Sequence, residues 1–324
     1  MNFLKVSGIN RKEGDDFELK DISFAQYPFQ RVAIAGESGS GKSTLCKIIA
    51  GLIQPDSGEV VFEGKRVKGP LEKLIPGHQH IAYLSQHYEL RNSYRVEEIL
   101  DYANTLSDEQ AMALYKVCRI DHLLQRKSNQ LSGGEKQRIA MARLLIMSPR
   151  LFLLDEPFSN LDMIHKSILK AAIRDIGEQL KISCLLVSHD PQDVLSWADE
   201  VLIMKDGRVI QKGGPLQVYW QPINEYVAGI MGSYSMVSTQ TAAALGVDTK
   251  GQSMLVRPGS FKIVTAEAGG IPAKVTSILF LGSSYEIEVL LMNQIVTVKS
   301  LDSHYAEGDM IYVALSSEHM WHAQ

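Results

Sequence analysis

QRVAIAGESGSGKSTLCKIIAGLI, from Gln30 to Ile53, decides the fold class. Its opening, VAIA at Val32–Ala35, is an unbroken apolar run of the kind shown by a strand buried on both faces. A glycine-rich turn stops the run, and KSTLCKIIAGLI then has the length and apolar spacing of a helix. Strand, glycine loop and helix in that order open a βαβ unit, so the region around it is expected to be α/β with a largely parallel central sheet. The loop, GESGSGKST at Gly36–Thr44, fits the pattern GxxxxGK[ST]. The pattern has a mechanical reason: glycines let successive backbone N–H groups turn toward phosphate oxygens, and the helix N-terminus adds partial positive charge. Gly36, Glu37, Ser38, Gly39, Ser40, Gly41, Lys42, Ser43 and Thr44 are therefore the candidate nucleotide-binding residues. Lys42 is expected at the β- and γ-phosphates and the Ser43 hydroxyl at Mg²⁺.

Working outward, FELKDISF (Phe17–Phe24) reads as a strand ahead of the loop, and Gly58–Val67 and His80–Ser85 as strands after it. From Val96 to about Met147 the apolar residues recur at three- and four-residue spacing, as in EEILDYANTL and EQAMALYKVCRI, which predicts a helical insert. Pro149 ends the insert. LFLLDEP (Leu151–Pro157) is then a short apolar run suited to a central parallel strand. It closes on two acids, an arrangement that is costly unless something there needs them. Asp155 suits a second Mg²⁺ contact, and Glu156 emerges at the strand end where it can orient and deprotonate an attacking water. An acidic strand-to-loop cap is the alternative reading of the pair. Strand and helix alternate again through ISCLLVSHD (Ile182–Asp190), where His189 taken alone reads as a structural histidine, and VLSWADEVLIMKDG (Val194–Gly207). Near Gly229–Ser235 the chain turns small and polar and helical periodicity fades, which places a domain boundary at 232/233. The remainder, with AKVTSILFLG, YEIEVLL, QIVTVKS and MIYVALS set off by Gly, Asn and Asp, reads as the short alternating strands of a small β-barrel.

The 324 residues leave room for two domains. A composition of 45% hydrophobic and 22% charged residues is that of an ordinary globular chain, and folding throughout is expected. A net charge of -4 gives no basic footprint, which argues against nucleic acid as a partner. No window approaches the run of about 18 apolar residues that a membrane-crossing helix needs, and MNFLKVSGINRKEGDD is too polar for a signal peptide. The chain is therefore expected on the cytoplasmic side. Cys46, Cys118 and Cys184 lack CxxC spacing and read as buried, reduced thiols.

LSGGEKQRIAMARLL (Leu131–Leu145) resembles the signature of ABC-transporter nucleotide-binding domains. The family's other elements stand around it in the family's order: the phosphate loop at Gly36–Ser43, Gln86 after a strand, the acids Asp155 and Glu156, SNLD at Ser159–Asp162, and His189. The resemblance covers roughly the first 230 residues and implies a P-loop NTPase with a RecA-like core and a helical subdomain at about 87–148. It further implies a Mg²⁺-dependent ATPase that works as a head-to-tail dimer, with two ATP molecules sandwiched between copies. On that basis Ser132, Gly133, Gly134 and Glu135 would serve the nucleotide held by the partner's phosphate loop. Gln86 would touch Mg²⁺ and the water, His189 would hold the γ-phosphate and Glu156, and Asp162 would link the two sites. The helical insert would receive a helix from each membrane permease subunit, and HYELRNSYRV (His87–Val96) is either part of that socket or an exposed loop.

One family feature is missing. INRKEGDD offers no aromatic residue to stack on adenine, which leaves Phe17 with two readings, adenine contact or core residue. Farther on, MLVRPGSFKI (Met254–Ile263) and the strands after it resemble the OB-like TOBE domain of importer ATPases such as those for sulfate, iron(III), spermidine/putrescine and maltose. The implied function is the ATPase subunit of an importer, peripheral to the membrane and associated with permease subunits and a solute-binding protein. An exporter ATPase or a soluble, non-transport ABC ATPase is the alternative.

Overall fold

The structure is a computed structural model and describes residues 3–14, 17–86, 90, 93–159, 161–302, 304–316 and 321–322. Two compact units divide the chain at Pro215/Leu216. In the segment His87–Val96, expected at a permease socket, His87, Tyr88, Glu89, Arg91 and Asn92 lie outside the described residues.

The first unit opens with two long strands, β1 (Leu4–Glu13) and β2 (Phe17–Gln26), followed by β3 (Arg31–Ala35) and α1 (Lys42–Ile49). Strands β4 (Ser57–Phe62), β5 (Lys65–Arg66) and β6 (Ile81–Leu84) come next, then helices α2 (Val96–Asp101), α3 (Asp108–Val117) and α4 (Gly133–Leu145). The unit continues through β7 (Leu151–Asp155), α5 (Met163–Gln179), β8 (Ser183–Val187), α6 (Pro191–Leu195), β9 (Glu200–Lys205) and β10 (Arg208–Gly213). Strands β2-β1-β4-β5 form one antiparallel sheet, and β10-β9-β3-β8-β7-β6 form the central one. All neighbours in the central sheet are parallel except β10 on β9.

Alternation along β7 explains how this sheet is held. Leu151 and Leu153 join the core shared with the antiparallel sheet and α1, whereas Phe152 and Leu154 join the core under the helices; all four are 0% exposed. Complete burial of such a side chain contributes about 1.5–3 kcal/mol. The same register matters for function, because Ile34 and Asp155 both pair with Val187. The carboxyl ends of β3, β8 and β7 therefore lie side by side, at the edge where ligands of parallel α/β sheets bind.

The second unit holds α7 (Pro215–Trp220) past its first residue, α8 (Glu225–Ile230), β11 (Ser235–Val237), α9 (Thr239–Ala244) and β12 (Met254–Val256). Strands β13 (Phe261–Val264), β14 (Ile271–Phe280), β15 (Tyr285–Leu291), β16 (Gln294–Ser300), β17 (Met310–Leu315) and β18 (Trp321–His322) complete it. A five-stranded antiparallel sheet runs β13-β17-β14-β15-β16, and its two edge strands approach within 8 Å, which curls it into a barrel. Alternate residues Val275, Ile287, Val289, Val296, Val298 and Val313 fill the interior. The fading of helical periodicity concealed α9, whose cap Ser238 accepts a hydrogen bond from the Thr241 N–H.

The break between units falls earlier than 232/233 for a physical reason. The guanidinium of Arg257 donates to the carbonyls of Tyr219, Ala228, Gly232 and Ser233 at 2.8–3.2 Å and lies over the Tyr219 ring. This one side chain binds the segment carrying α7 and α8 to the β unit.

Candidate functional site

The phosphate loop joins β3 to α1, and two of its glycines are sterically required. A Cβ on Gly36 (φ +154) would stand 2.3 Å from the Met204 carbonyl oxygen, and one on Gly41 (φ +98) would stand 2.5 Å from both Leu19 and Phe17. Lys42, only 5% exposed, turns back into the loop. Its ammonium donates to the carbonyls of Gly36 (2.8 Å) and Glu37 (2.6 Å) and to Ser40 Oγ (3.3 Å). Burial holds its pKa below the ordinary 10.5, with Glu156 and Asp155 pulling the other way. A cavity of about 480 Å³ opens over the loop, lined by Ser38, Gly39, Gly41, Lys42, Ser43 and Thr44 and closed by Glu13, Phe17, Gln86 and Glu156. Phe17 lines this cavity and also packs on the apolar core.

Asp155, at the end of β7, is 3% exposed. Its Oδ1 accepts from Ser43 Oγ (3.0 Å) and its Oδ2 from the Tyr83 hydroxyl (2.7 Å). Burial and the adjacent Asp155 charge push the Tyr83 hydroxyl pKa upward, so it stays a donor. Behind Asp155 lies Cys46, a fully buried thiol raised well above its ordinary value by desolvation.

Glu156 leaves the strand with φ 48, a left-handed conformation that costs a residue bearing a Cβ about 1–2 kcal/mol. A local lattice of bonds holds it there: its N–H donates to the Val187 carbonyl (3.0 Å), and its carbonyl accepts from the Ser159 hydroxyl (2.8 Å). The consequence is that two successive acids diverge. Asp155 points to Ser43, whereas the Glu156 carboxylate meets His189 Nδ1 at 3.2 Å and, at a longer 3.5 Å, the Gln86 side-chain amide. Ser38, Gln86 and Glu156 also line a second cavity of about 440 Å³ with Lys166, His189 and Asp190. Two lysines fix this wall, for Lys166 bridges Asp190 and Asp193 while Lys170 reaches Asp193 at 2.6 Å.

The signature residues stand apart from both cavities and line neither. Ser132 caps α4 in a reciprocal box, its Oγ accepting from the Glu135 N–H (3.3 Å) and its N–H donating to Glu135 Oε2 (2.8 Å). The Cβ position of Gly133 faces open space, whereas a Cβ on Gly134 would lie 2.7 Å from the ring of His165. Asp162 caps α5 by accepting from the His165 N–H at 2.9 Å. Within one chain, then, the phosphate loop, Phe17, Gln86, Asp155, Glu156 and His189 converge on one centre. Ser132, Gly133, Gly134, Glu135 and Asp162 form another.

Comparison with known proteins supplies the context for these two groups of residues. A family model described as ABC transporter matches residues 19–159, and one described as TOBE domain matches residues 254–322. The sulfate/thiosulfate import ATP-binding protein CysA 1 of Chromobacterium violaceum is 34% identical over 310 residues, covering 88% of this chain and 86% of that protein. The chain belongs to the ABC transporter family. A sulfate/thiosulfate import ATP-binding protein CysA of a Synechocystis species is 29% identical over 313 residues, covering 92% of this chain and 87% of that one. Among solved structures, cbiO1 of Clostridium perfringens, part of the ABC transporter complex cbiONQ, superposes with a TM-score of 0.58 at 28% identity, covering 67% of this chain and 90% of that one.

The chain is thus an ATP-binding, ATP-hydrolysing subunit of importer type, a P-loop α/β domain followed by a β-rich TOBE domain, and it works with membrane permease partners. No helix among the described residues is long and apolar enough to cross a membrane. Several residues of this ABC ATPase that bear on its site carried no motif signal. Tyr83 fell inside a strand segment, and nothing local joins it to Asp155, 72 positions away. Glu13, which accepts from Thr44 Oγ1 at 3.2 Å, is 31 positions from its donor. Lys166 has one legible clue, its place four residues after Asp162 on a helix face.

Proposed function

We propose that ATP occupies the cavity over Gly36–Thr44, that a second copy of the chain completes the site, and that hydrolysis drives a bound permease. The observation carrying this reading is the convergence of Glu156, His189 and Gln86 at the mouth of the phosphate-loop cavity, with Glu156 held by its left-handed backbone. The loop N–H groups and α1 would hold the phosphates, and Lys42 would exchange its carbonyl partners for phosphate oxygens. Ser43, Asp155 and Gln86 offer a hydroxyl, a carboxylate and an amide oxygen, a sparse set of hard donors suited to a Mg²⁺ ion that takes its remaining ligands from phosphates and water. Bound there, Mg²⁺ supplies charge neutralisation on the phosphate oxygens. Glu156 takes the proton of the attacking water, His189 orients Glu156, and Phe17 stacks against the base.

Ser132, Gly133, Gly134 and Glu135 lie outside the centre they would be expected to serve. A head-to-tail homodimer accounts for this, presenting them to the partner's nucleotide with Asp162 between the sites. For the permease we propose the groove of about 350 Å³ lined by Leu52, Ile75, Tyr83, Leu144 and Met147, beside Leu71 and Leu74, which are 85% and 98% exposed. Apolar side chains so exposed mark an interaction surface. The subunit then sits on the cytoplasmic face, and a solute-binding protein delivers the solute. The relatives' names make sulfate and thiosulfate the first solutes to test.

Replacing Glu156 with Gln tests this reading. It keeps the shape and the contacts to Gln86 and His189 but removes the base, so turnover should fall by about 100-fold or more while ATP binding persists. ATP should then trap a stable dimer on size exclusion. An E156Q protein that hydrolyses ATP at the original rate, or elutes only as a monomer with ATP, would sink the proposal.

A further inference from the structure

The signature serine does not stand alone. Its Oγ lies 3.3 Å from Nε2 of His165, whose Nδ1 lies 2.6 Å from Asp162 Oδ2. The backbone N–H of His165 donates to the other oxygen of the same carboxylate at 2.9 Å. Those bonds hold Asp162 below the usual carboxylate range, so it is ionised at neutral pH and can only accept. Nδ1 therefore carries a hydrogen toward Asp162, and Nε2 faces the Ser132 hydroxyl within hydrogen-bond distance. With the Glu135 N–H on the same Oγ, the hydroxyl has a fixed direction. The His165 side chain also lies close against the backbone of Gly134, where a Cβ would come within 2.7–2.9 Å of its Cδ2, Cβ and Cγ. One side chain thus touches the signature hydroxyl, the signature backbone and the acid at the start of α5.

We propose that His165 is a positioning residue for nucleotide binding in trans, holding Ser132 and Gly134 in register with Asp162 so that they meet the partner subunit's nucleotide as one rigid edge. This deepens the head-to-tail reading and rests on it. The physical reason is preorganisation: a hydroxyl already fixed in direction loses less rotational freedom when a phosphate arrives. His165 lines neither the phosphate-loop cavity nor the one beside it, so binding at the chain's own phosphate loop should be indifferent to it. The first turn of α5 has a second anchor in the next residue, Lys166, which bridges Asp190 and Asp193 beside His189. The signature and the segment next to His189 are therefore tied to the same helical turn.

Three substitutions in the full chain separate this role from simple packing. Gln at 165 places an acceptor where Nε2 stands, Asn places a group where Nδ1 stands, and Leu keeps apolar contact with Gly134 without either bond. H165L and H165N should raise the KM for ATP about fivefold with kcat nearly unchanged, the size of one lost hydrogen bond. H165Q should return KM to within about twofold of the original. Fluorescent ATP-analogue binding to dilute monomer should be the same in all four proteins. Equal damage in H165Q and H165L, or a KM unmoved by any of them, would overturn the role assigned to His165. If H165L fails to fold, the contrast between H165N and H165Q decides. Trapping of an ATP-bound dimer by E156Q with His165 intact tests the underlying reading separately, since no dimer there removes the trans site itself.

Discussion

Lys42 in the first unit and Arg257 in the second are buried cations held in opposite ways. Lys42 is 5% exposed, as is Arg257, and neither forms an ion pair among the described residues. Both rest on backbone carbonyls, and burial lowers the pKa of both. The difference lies in whose carbonyls they are. Lys42 bonds to its own loop, five and six residues back, beside an open cavity and two acids. A flexible ammonium in that position can trade its partners for phosphate oxygens without disturbing anything distant. Arg257 spreads a rigid planar fork over carbonyls 24 to 38 residues away and stacks on Tyr219, so it gathers α7 and the end of α8 onto the β unit. One cation is a contact waiting to be exchanged, and the other is a fastener.

Breaking the fastener should have the largest effect. Arg257→Met takes a charged donor away from four carbonyls and should destabilise the second unit by about 4 kcal/mol, with Arg257→Lys between it and the original. Urea denaturation, with hydrogen exchange across Glu225–Ile230, reads this directly. A loss below about 1 kcal/mol would mean that water replaces the guanidinium and that the contrast fails. Lys42→Ala should instead cost about 2 kcal/mol in ATP affinity by calorimetry, with a change in folding stability below about 1 kcal/mol. The smallest effect is one of pH. Because the folded pKa of Lys42 lies below the ordinary 10.5, the unfolded chain binds more protons in the window between them. Stability attributable to this residue therefore rises with pH through that window, whereas ATP affinity falls as the ammonium is lost. A Lys42→Met protein should lack both trends, and a calorimetric pH series that keeps them in the variant would assign them elsewhere.

The two cations also mark the limits of what could be read in advance. Lys42 was legible because its chemistry is local, with loop, lysine and hydroxyl inside nine residues between a strand and a helix. Asp155 and Glu156 were legible as acids at an apolar strand end, but not their divergence, which depends on the positive φ of Glu156 and its bond to Val187. Arg257 was visible as part of a family motif and nothing more. Three of its four partners, Tyr219, Ala228 and Gly232, precede the expected boundary at 232/233, which lies 17 residues beyond the break at 215/216. His165 went unremarked too. It meets Ser132 across 33 residues, and packing alone brings α4 and α5 together.

All three native cysteines are buried, Cys46 under the phosphate site and Cys118 and Cys184 in the helical core. Desolvation pushes the Cys118 and Cys184 thiols up to about 12 and Cys46 well above its ordinary value, so none offers a thiolate at neutral pH. The native chain is therefore a silent background for thiol labelling. A single cysteine placed at an exposed helical position such as Glu109 would take a fluorophore or spin label alone, which makes distances between copies measurable without first engineering the natural thiols away.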